Sequence, residues 1–347
     1  MSQIISKKNQ IRSLLFVLIL MTITIVVILK EYSIEEVTGV IRSVHPFYLL
    51  GGILMMFLYV ACQDMILYTI FKKLEHQVSY GYCIEYSYVG NYFGAITPGA
   101  SGSQPAQLYY MSKDKIHVDT SAITVFFVVL SNQIAILVLG GIFTILRRKM
   151  IYGLDRWLRY LFLAGSFVIL GLILIILAIM FMKKTIPFLF RLVLKLGVKI
   201  RLIKQPQHIQ VKFEALLLSY REKSRMILKN PELFLKIFVI SILQWISYYM
   251  VSYLVYLSFG YREHSAVDLM ASQSFVSVAA AAVPLPGSVG VAENAYMDVF
   301  GQFFNEKELP SAMILSRIIN FYLPLFISFF VYLVVHFRVI KQKKLQK

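Results

Sequence analysis

Four ionisable residues interrupt the apolar stretches of this sequence, and they are the first candidates for chemistry. Asp64 and Glu85 lie in its first quarter, and Glu293 and Arg317 lie in its last fifth. A charge at the centre of a membrane-spanning helix costs about 2.5–3.5 kcal/mol on insertion scales, so such residues usually serve a function. We predict that all four contribute to a binding site. The alternative is a buried salt bridge, for instance between Arg317 and Glu293, that only fixes packing.

Two Pro-Gly-x-x-Gly motifs, Pro98–Gly102 and Pro286–Gly290, each interrupt an apolar stretch. Non-helical backbone at membrane depth persists only where protein or water satisfies its polar groups, so the motifs indicate the lining of a cavity. Helix N-termini that begin there would attract a phosphate or a carboxylate. The alternative is that the glycines only let helices pack closely. The candidate binding residues of these segments are Asn91, Thr97, Pro98, Gly102, Gln104, Gln107, Pro286, Gly287, Gly290 and Asn294.

No motif in the sequence indicates catalysis or a bound cofactor. It contains no Gly-x-Ser-x-Gly, no Walker loop and no His-Glu-x-x-His. The two cysteines, Cys62 and Cys83, cannot form a disulfide framework or a zinc site based on cysteine, and the six histidines are scattered. We therefore expect no catalytic residue, no metal and no cofactor in this chain.

The composition shows whether the segments that contain these residues lie in water or in lipid. Apolar residues make up 58% of the chain, charged residues 15%, and the mean hydropathy is +0.69. A soluble domain needs about 25% charged residues, so this chain requires a bilayer, and its apolar runs indicate membrane-spanning helices. We predict an all-α polytopic membrane protein without a water-soluble catalytic domain. The predicted full spans lie near 11–30, 46–71, 118–146, 157–182, 232–259 and 310–337.

The two interrupted stretches, 78–112 and 266–305, are predicted to be re-entrant helical hairpins. With the N-terminus in the cytoplasm, the predicted spans make these hairpins enter the bilayer from opposite faces. This is the pattern of an inverted repeat, with half-repeats at about 11–146 and 157–337, which in transporters places the substrate at the midplane. The basic loop 147–159 would then lie outside, so the sequence leaves its side of the membrane open.

The formal charge of +17 indicates contact with anionic lipid rather than with nucleic acid. Its basic residues flank the predicted spans and concentrate in the segment 183–230, which we predict to be cytoplasmic and partly bound to the membrane surface. The C-terminus is also basic, so both termini are predicted to be cytoplasmic. We expect anionic lipid headgroups as partners and no nucleic acid.

The two motifs and the last span resemble one known family. The segments Gly90–Pro98, Gly102–Met111 and Pro284–Glu293, together with Arg317 followed by Tyr322 and Pro324, are similar to the membrane domain of lysylphosphatidylglycerol synthases. These proteins are flippase-like relatives of the bacterial multiple peptide resistance factor, and the resemblance covers essentially the whole chain. One departure is Gly-Ser-Gln at 102–104, where many relatives have Gly-Gly-Gln.

The resemblance implies a protein of the bacterial inner membrane that moves a modified phospholipid, such as aminoacylated phosphatidylglycerol, between leaflets. Glu293 and Asp64 would then meet a cationic or zwitterionic headgroup, and Arg317 its phosphate. The rival interpretation is the membrane part of a lysyltransferase whose catalytic domain is missing or lies on another chain. A scaffold for envelope synthesis is a third, and a homo-oligomer and a separate synthase partner both remain open.

Overall fold

In a computed structural model, the described residues are 44–74, 76–149, 153–181, 222–227 and 229–345, with Gly39 and Leu218 as isolated positions. The predicted span 11–30 and most of the basic segment 183–230 lie outside them. The helices, numbered for the described chain, are α1 (Pro46–Lys73), α2 (Tyr80–Ala95), α3 (Ser103–Lys113), α4 (Val118–Leu146), α5 (Arg156–Phe181), α6 (Pro231–Ser258), α7 (Ala266–Ala280), α8 (Val291–Phe300), α9 (Leu309–Arg317), a π-helical segment (Ile318–Tyr322) and α10 (Leu323–Leu345).

Five stretches of helix in the described chain are long and apolar enough to cross a membrane. They are α1, α4, most of α5, α6 and the continuous run Leu309–Lys341. A helix of 28 residues, such as α1, is about 42 Å long and exceeds the hydrocarbon thickness of about 30 Å. The prediction of an all-α polytopic membrane protein is confirmed, and five of the six predicted spans coincide with these helices within a few residues.

Helices α1 and α6 form an antiparallel pair. The two ends of this pair serve as reference points for the positions of the other helices. The backbone N–H of His45 donates to the carbonyl of Ser258 at 2.8 Å, so the start of α1 lies at the end of α6. We call this the His45 end. The opposite end, where α1 finishes at Lys73 and α6 begins at Pro231, is called the Lys73 end.

The first hairpin, α2 with α3, begins at the Lys73 end, where the rings of Tyr68 and Tyr80 are 5.7 Å apart. Helix α4 then runs to the His45 end, where Arg147 forms an ion pair with Asp268 at the start of α7. The second hairpin, α7 with α8, therefore begins at the His45 end. The four helices have 16, 11, 15 and 10 residues, too short to cross a bilayer, which takes about 20.

The two hairpins approach each other from opposite ends of the α1–α6 pair and meet at their tips. The backbones of Pro98 and Pro286 pair in an antiparallel bridge. A Cβ added at Gly99 would lie 3.4 Å from the Cβ of Pro284. The contact brings together the two motifs that the sequence singled out. The division into half-repeats, and a twofold axis relating them, stay predictions.

Each hairpin packs against the long helices, and two contacts are especially close. Tyr92 of α2 stacks on Tyr332 of α10, with ring centroids 4.9 Å apart. Helix α7 packs so closely on α5 that a Cβ added at Gly165 would lie 1.8 Å from the carbonyl oxygen of Val278. A glycine at this contact lets the two backbones touch, as small residues do between membrane helices. The tips are thus held in position from both sides.

Candidate functional site

The two Pro-Gly turns at the hairpin tips have the same backbone conformation. The φ angles of Gly99 and Gly287 are 57° and 59°, and those of the following residues, Ala100 and Ser288, are 55° and 52°. In each turn, the residue after the glycine donates a backbone hydrogen bond to the residue before the proline, and the next residue donates to the proline itself. The distances are 3.1 and 3.2 Å in the first turn and 3.0 and 3.3 Å in the second. The turns are therefore equivalent in geometry as far as these residues. The last glycines of the two motifs differ, since φ is -81° at Gly102 and 86° at Gly290.

Glu293 and Arg317 form an ion pair directly beside the second turn. The Nε of Arg317 lies 2.8 Å from Oε1 of Glu293. The other carboxylate oxygen, Oε2, accepts the backbone N–H of Gly290 at 2.7 Å, and Nη2 of Arg317 donates to the carbonyl of Gly287 at 3.0 Å. Both side chains thus bind the turn as well as each other. The carboxylate also lies in the first turn of α8, where the helix dipole favours a negative charge.

The ion pair is almost entirely removed from water, because the side chain of Arg317 is 12% exposed and that of Glu293 is 7% exposed. The Arg317 guanidinium also lies 4.5 Å from the ring centroid of Phe321. In such surroundings an ion pair is stable only when both charges keep their partners. The salt bridge considered from the sequence is present. The role of the two residues in substrate binding stays a prediction.

A break in the last span helps to place Arg317 at the tip. The residue ends α9, and the π-helical segment Ile318–Tyr322 follows it at once. Pro324 stands just beyond, where it has no N–H to donate and its ring opposes the carbonyl of Asn320. π-helical turns of this kind occur frequently at functional sites. The sequence prediction had treated 310–337 as one uninterrupted span.

Glu85 does not join this site but belongs to a second charged group at the Lys73 end. Arg338 of α10 binds Glu85 at 2.6 Å and Asp114, which ends α3, at 3.1 Å. The hydroxyl of Tyr86 also donates to Asp114 at 2.9 Å. One arginine therefore ties both arms of the first hairpin to the last helix. Sequence reasoning missed this role of Arg338 because it counted the residue among the basic residues after the last span.

Asp64 lies on α1 and faces Ser87 of α2, and it forms no ion pair with Arg317 or with another described cation. Its neighbours are the first hairpin and not the second turn. Asp64 and Glu85 therefore do not lie with the Glu293–Arg317 pair, although the sequence predicts one binding site for all four residues. Their contribution to substrate binding stays a prediction.

The polar residues of the first turn divide into two kinds. Thr97 and Gln107 are engaged within the hairpin: Thr97 Oγ1 accepts the N–H of Gly102 at 2.8 Å, and Gln107 donates to the carbonyl of Tyr86 at 3.1 Å. Gly102 is needed for this approach, because an added Cβ would lie 2.7 Å from Thr97. Of the other polar candidates, Asn91 and Gln104 of the first hairpin are half-buried, and Asn294 of the second hairpin is exposed. Pro286 is buried.

The structure also gathers aromatic and amide side chains that the sequence did not single out. Tyr59, Trp245 and Tyr248 pack with ring centroids 5.5–5.8 Å apart, and Trp245 donates to Asn132 at 3.3 Å. They lie at the middle of α1, α6 and α4. Tyr248 also lies within electrostatic reach of both Glu293 and Arg317. None of these residues is ionised at neutral pH. A prediction based on charged residues in apolar stretches therefore does not include them.

Among the described residues, no three His, Cys, Asp or Glu side chains are grouped so that they could hold a metal ion. The site contains a carboxylate paired with a guanidinium, an exposed first Pro-Gly turn, a partly buried second Pro-Gly turn and the aromatic group beside them. The fold and these contacts define a multi-pass, all-α membrane protein with two helical hairpins meeting inside it.

The chain matches the family described as the lysylphosphatidylglycerol synthase TM region over residues 10–328, and it belongs to that family. The match includes both turns, Glu293 and Arg317, so the resemblance inferred from the motifs is confirmed. No protein among the curated ones compared matches the chain.

Proposed function

We propose that the protein is a lipid flippase that moves a modified phospholipid, such as an aminoacylated phosphatidylglycerol, between the leaflets of the bacterial inner membrane. The observation that carries this proposal is the meeting of the two hairpin tips beside a buried ion pair. Irregular backbone and opposite charges in the middle of a bundle suit a polar headgroup that must pass through an apolar layer.

The ion pair suits a headgroup because such a ligand can replace both of its partners. A lipid phosphate is the natural competitor for Arg317, whose guanidinium binds oxyanions through several N–H groups. An ammonium group of the same headgroup competes for Glu293. A headgroup with both charges leaves neither residue buried without a partner, so the exchange avoids the large cost of an isolated buried charge. A headgroup with a phosphate alone would satisfy Arg317 and leave Glu293 unpaired.

The orientation that fits this proposal has the Lys73 end in the cytoplasm. Lys72, Lys73, Lys113 and Lys115 lie at that end, and basic residues in short loops favour the cytoplasmic side. Of the basic residues 147–159 at the other end, Arg147 is balanced by Asp268. Both termini would then be cytoplasmic.

The description of the family favours one rival function, the membrane part of a phosphatidylglycerol lysyltransferase. That protein would make the modified lipid with a catalytic domain carried elsewhere, and it need not move the lipid. Lipid movement by the purified chain therefore separates the two functions.

Vesicles that contain the purified chain and a fluorescent lysylphosphatidylglycerol provide the test. A membrane-impermeant reductant destroys the fluorescence of the outer leaflet only, so a flippase is expected to expose the inner-leaflet fraction as well. Protein-free vesicles and vesicles with fluorescent phosphatidylglycerol are the matched controls. An inner-leaflet fraction that stays protected would contradict the proposal, and lysyl transfer from lysyl-tRNA to phosphatidylglycerol without lipid movement would favour the rival.

A further inference from the structure

Asp64 is a buried carboxyl group without a cation. The residue lies on α1 and is 4% exposed, and its Oδ1 atom is buried without a hydrogen-bond donor in the described part of the chain. Five other acidic residues of the helices and their ends differ from it, because each has a Lys or Arg within 3.1 Å. These are Glu85, Asp114, Asp119, Asp268 and Glu293.

The groups that face Asp64 are neutral at neutral pH. The hydroxyl of Ser87 on α2 faces its carboxyl group, and the Oγ atom of Ser87 is itself buried without a hydrogen-bond partner in the described part of the chain. The titratable neighbours are Cys62 on α1 itself and Tyr80, Cys83 and Tyr88 on α2. Helices α4 and α6 and the π-helical segment also pack on α1, but their described residues bring no charged group to Asp64.

A carboxylate in such a place has two ways to avoid the cost of a buried, isolated charge: it takes a cation as partner, or it takes a proton. No Lys or Arg of the described chain pairs with Asp64. Ionisable residues of this kind in membrane helices are a recurrent component of proton pathways. We propose that Asp64 is a proton-binding site, protonated in the conformation seen here, and that its proton is exchanged with water during lipid movement.

The position of Asp64 links the proton to the first hairpin. Ser87 lies on α2, whose far end leads into the turn at Pro98 that meets the second hairpin. A movement of α2 away from α1 would admit water to Asp64. The carboxyl group would then release H⁺ to that water, on one side of the membrane, as hydronium and become a carboxylate. It would take H⁺ back from hydronium on the other side before it is buried again, so each cycle would move one proton across the membrane. This coupling rests on the proposed function and supplies an energy source for it, a proton gradient.

Infrared spectroscopy of the full chain in a detergent without ester groups tests the proton site without any transport. At neutral pH the wild-type protein is expected to show the carbonyl stretch of a protonated carboxylic acid, and Asp64→Asn is expected to lose it. The matched control is the double variant Arg147→Gln with Asp268→Asn, because Asp268 is paired with an arginine away from the hairpin tips and should contribute no such band. A wild-type spectrum without the band, or a band that Asp64→Asn retains, would overturn the proton site.

Vesicles with an imposed pH gradient test the coupling. The gradient is expected to accelerate lipid movement by the wild-type protein and by the double variant Arg147→Gln with Asp268→Asn, and to leave the rate of Asp64→Asn unchanged, because asparagine cannot exchange a proton. An equal response of Asp64→Asn would overturn the coupling. If the infrared band is present but the wild-type chain moves no lipid in any gradient, the proton site stands and the proposed flippase function fails.

Discussion

Replacing Glu293 and Arg317 together, as Glu293→Gln with Arg317→Gln, is expected to abolish lipid movement and to leave the fold intact. The double variant removes both charges, so neither remains buried without a partner, and the glutamines keep side chains that can hydrogen-bond to the second turn. Each single variant leaves one uncompensated charge beside that turn and is expected to destabilise the protein by about 3–5 kcal/mol. The double variant should therefore be more stable than either single one and still inactive.

Thermal unfolding in detergent and the vesicle assay measure the two effects separately. The control is a second ion pair treated in the same way, Arg147→Gln with Asp268→Asn, which lies at the His45 end away from the hairpin tips. This control is expected to move lipid at the wild-type rate. If the Glu293 and Arg317 double variant folds and also moves lipid at the wild-type rate, the ion pair only fixes packing and does not belong to the binding site.

Gly287→Ala is expected to destabilise the second turn and to stop lipid movement. The residue has a φ of 59°, and an added Cβ would lie 2.3 Å from Cζ of Phe321. The left-handed conformation costs a non-glycine residue about 1–2 kcal/mol, and overpacking adds about 1–3 kcal/mol. Because the Phe321 ring also lies under the Arg317 guanidinium, its displacement would disturb the ion pair.

Gly290→Ala separates the two causes within the same turn. Gly290 has a φ of 86°, but nothing lies within 4 Å of its added Cβ, so the substitution introduces backbone strain without a clash. Thermal unfolding and lipid movement of the two variants are compared under the same conditions. We expect Gly287→Ala to be the less stable and the less active variant. Equal losses would mean that the contact with Phe321 has no role.

The spans and hairpins could be predicted because a segment that lies in lipid must have an apolar sequence. Helices α1, α4, α5 and α6 are long apolar runs, and only a helix can carry such a run through a bilayer. The hairpins were visible because proline and glycine interrupt apolar stretches of the same kind. The π-helical segment Ile318–Tyr322 was missed, although Pro324 marks it, because the apolar composition continues through the break.

The ion pair could be anticipated because both of its members are charged residues in apolar stretches. A salt bridge between Glu293 and Arg317 was the alternative to substrate binding that the sequence left open, since opposite charges in an apolar layer attract each other. The same reasoning failed for Glu85, whose partner Arg338 lies 253 residues away among basic residues that resemble a cytoplasmic flank. Contacts at such a separation depend on how α10 packs against α2, which no local pattern determines.

The aromatic group could not be predicted for a related reason. Tyr59, Trp245 and Asn132 each look unremarkable within their own helices, and their significance comes only from lying at the same depth on three neighbouring helices. The depth of a residue within the bundle depends on the lengths of the loops between helices and on close contacts between helices. The hydropathy of a single helix gives no information on loop lengths or on these contacts.

The central claim is that a lipid headgroup reaches the hairpin tips in the middle of the membrane. Site-specific photocrosslinking at Leu285, which is 43% exposed at the second tip, tests it directly when mass spectrometry locates the adduct on the lipid. The matched control is Leu243, which is 46% exposed near the middle of α6 and away from the tips. We expect adducts on the headgroup from Leu285 and on acyl chains alone from Leu243. Adducts on acyl chains alone from both positions would contradict the account.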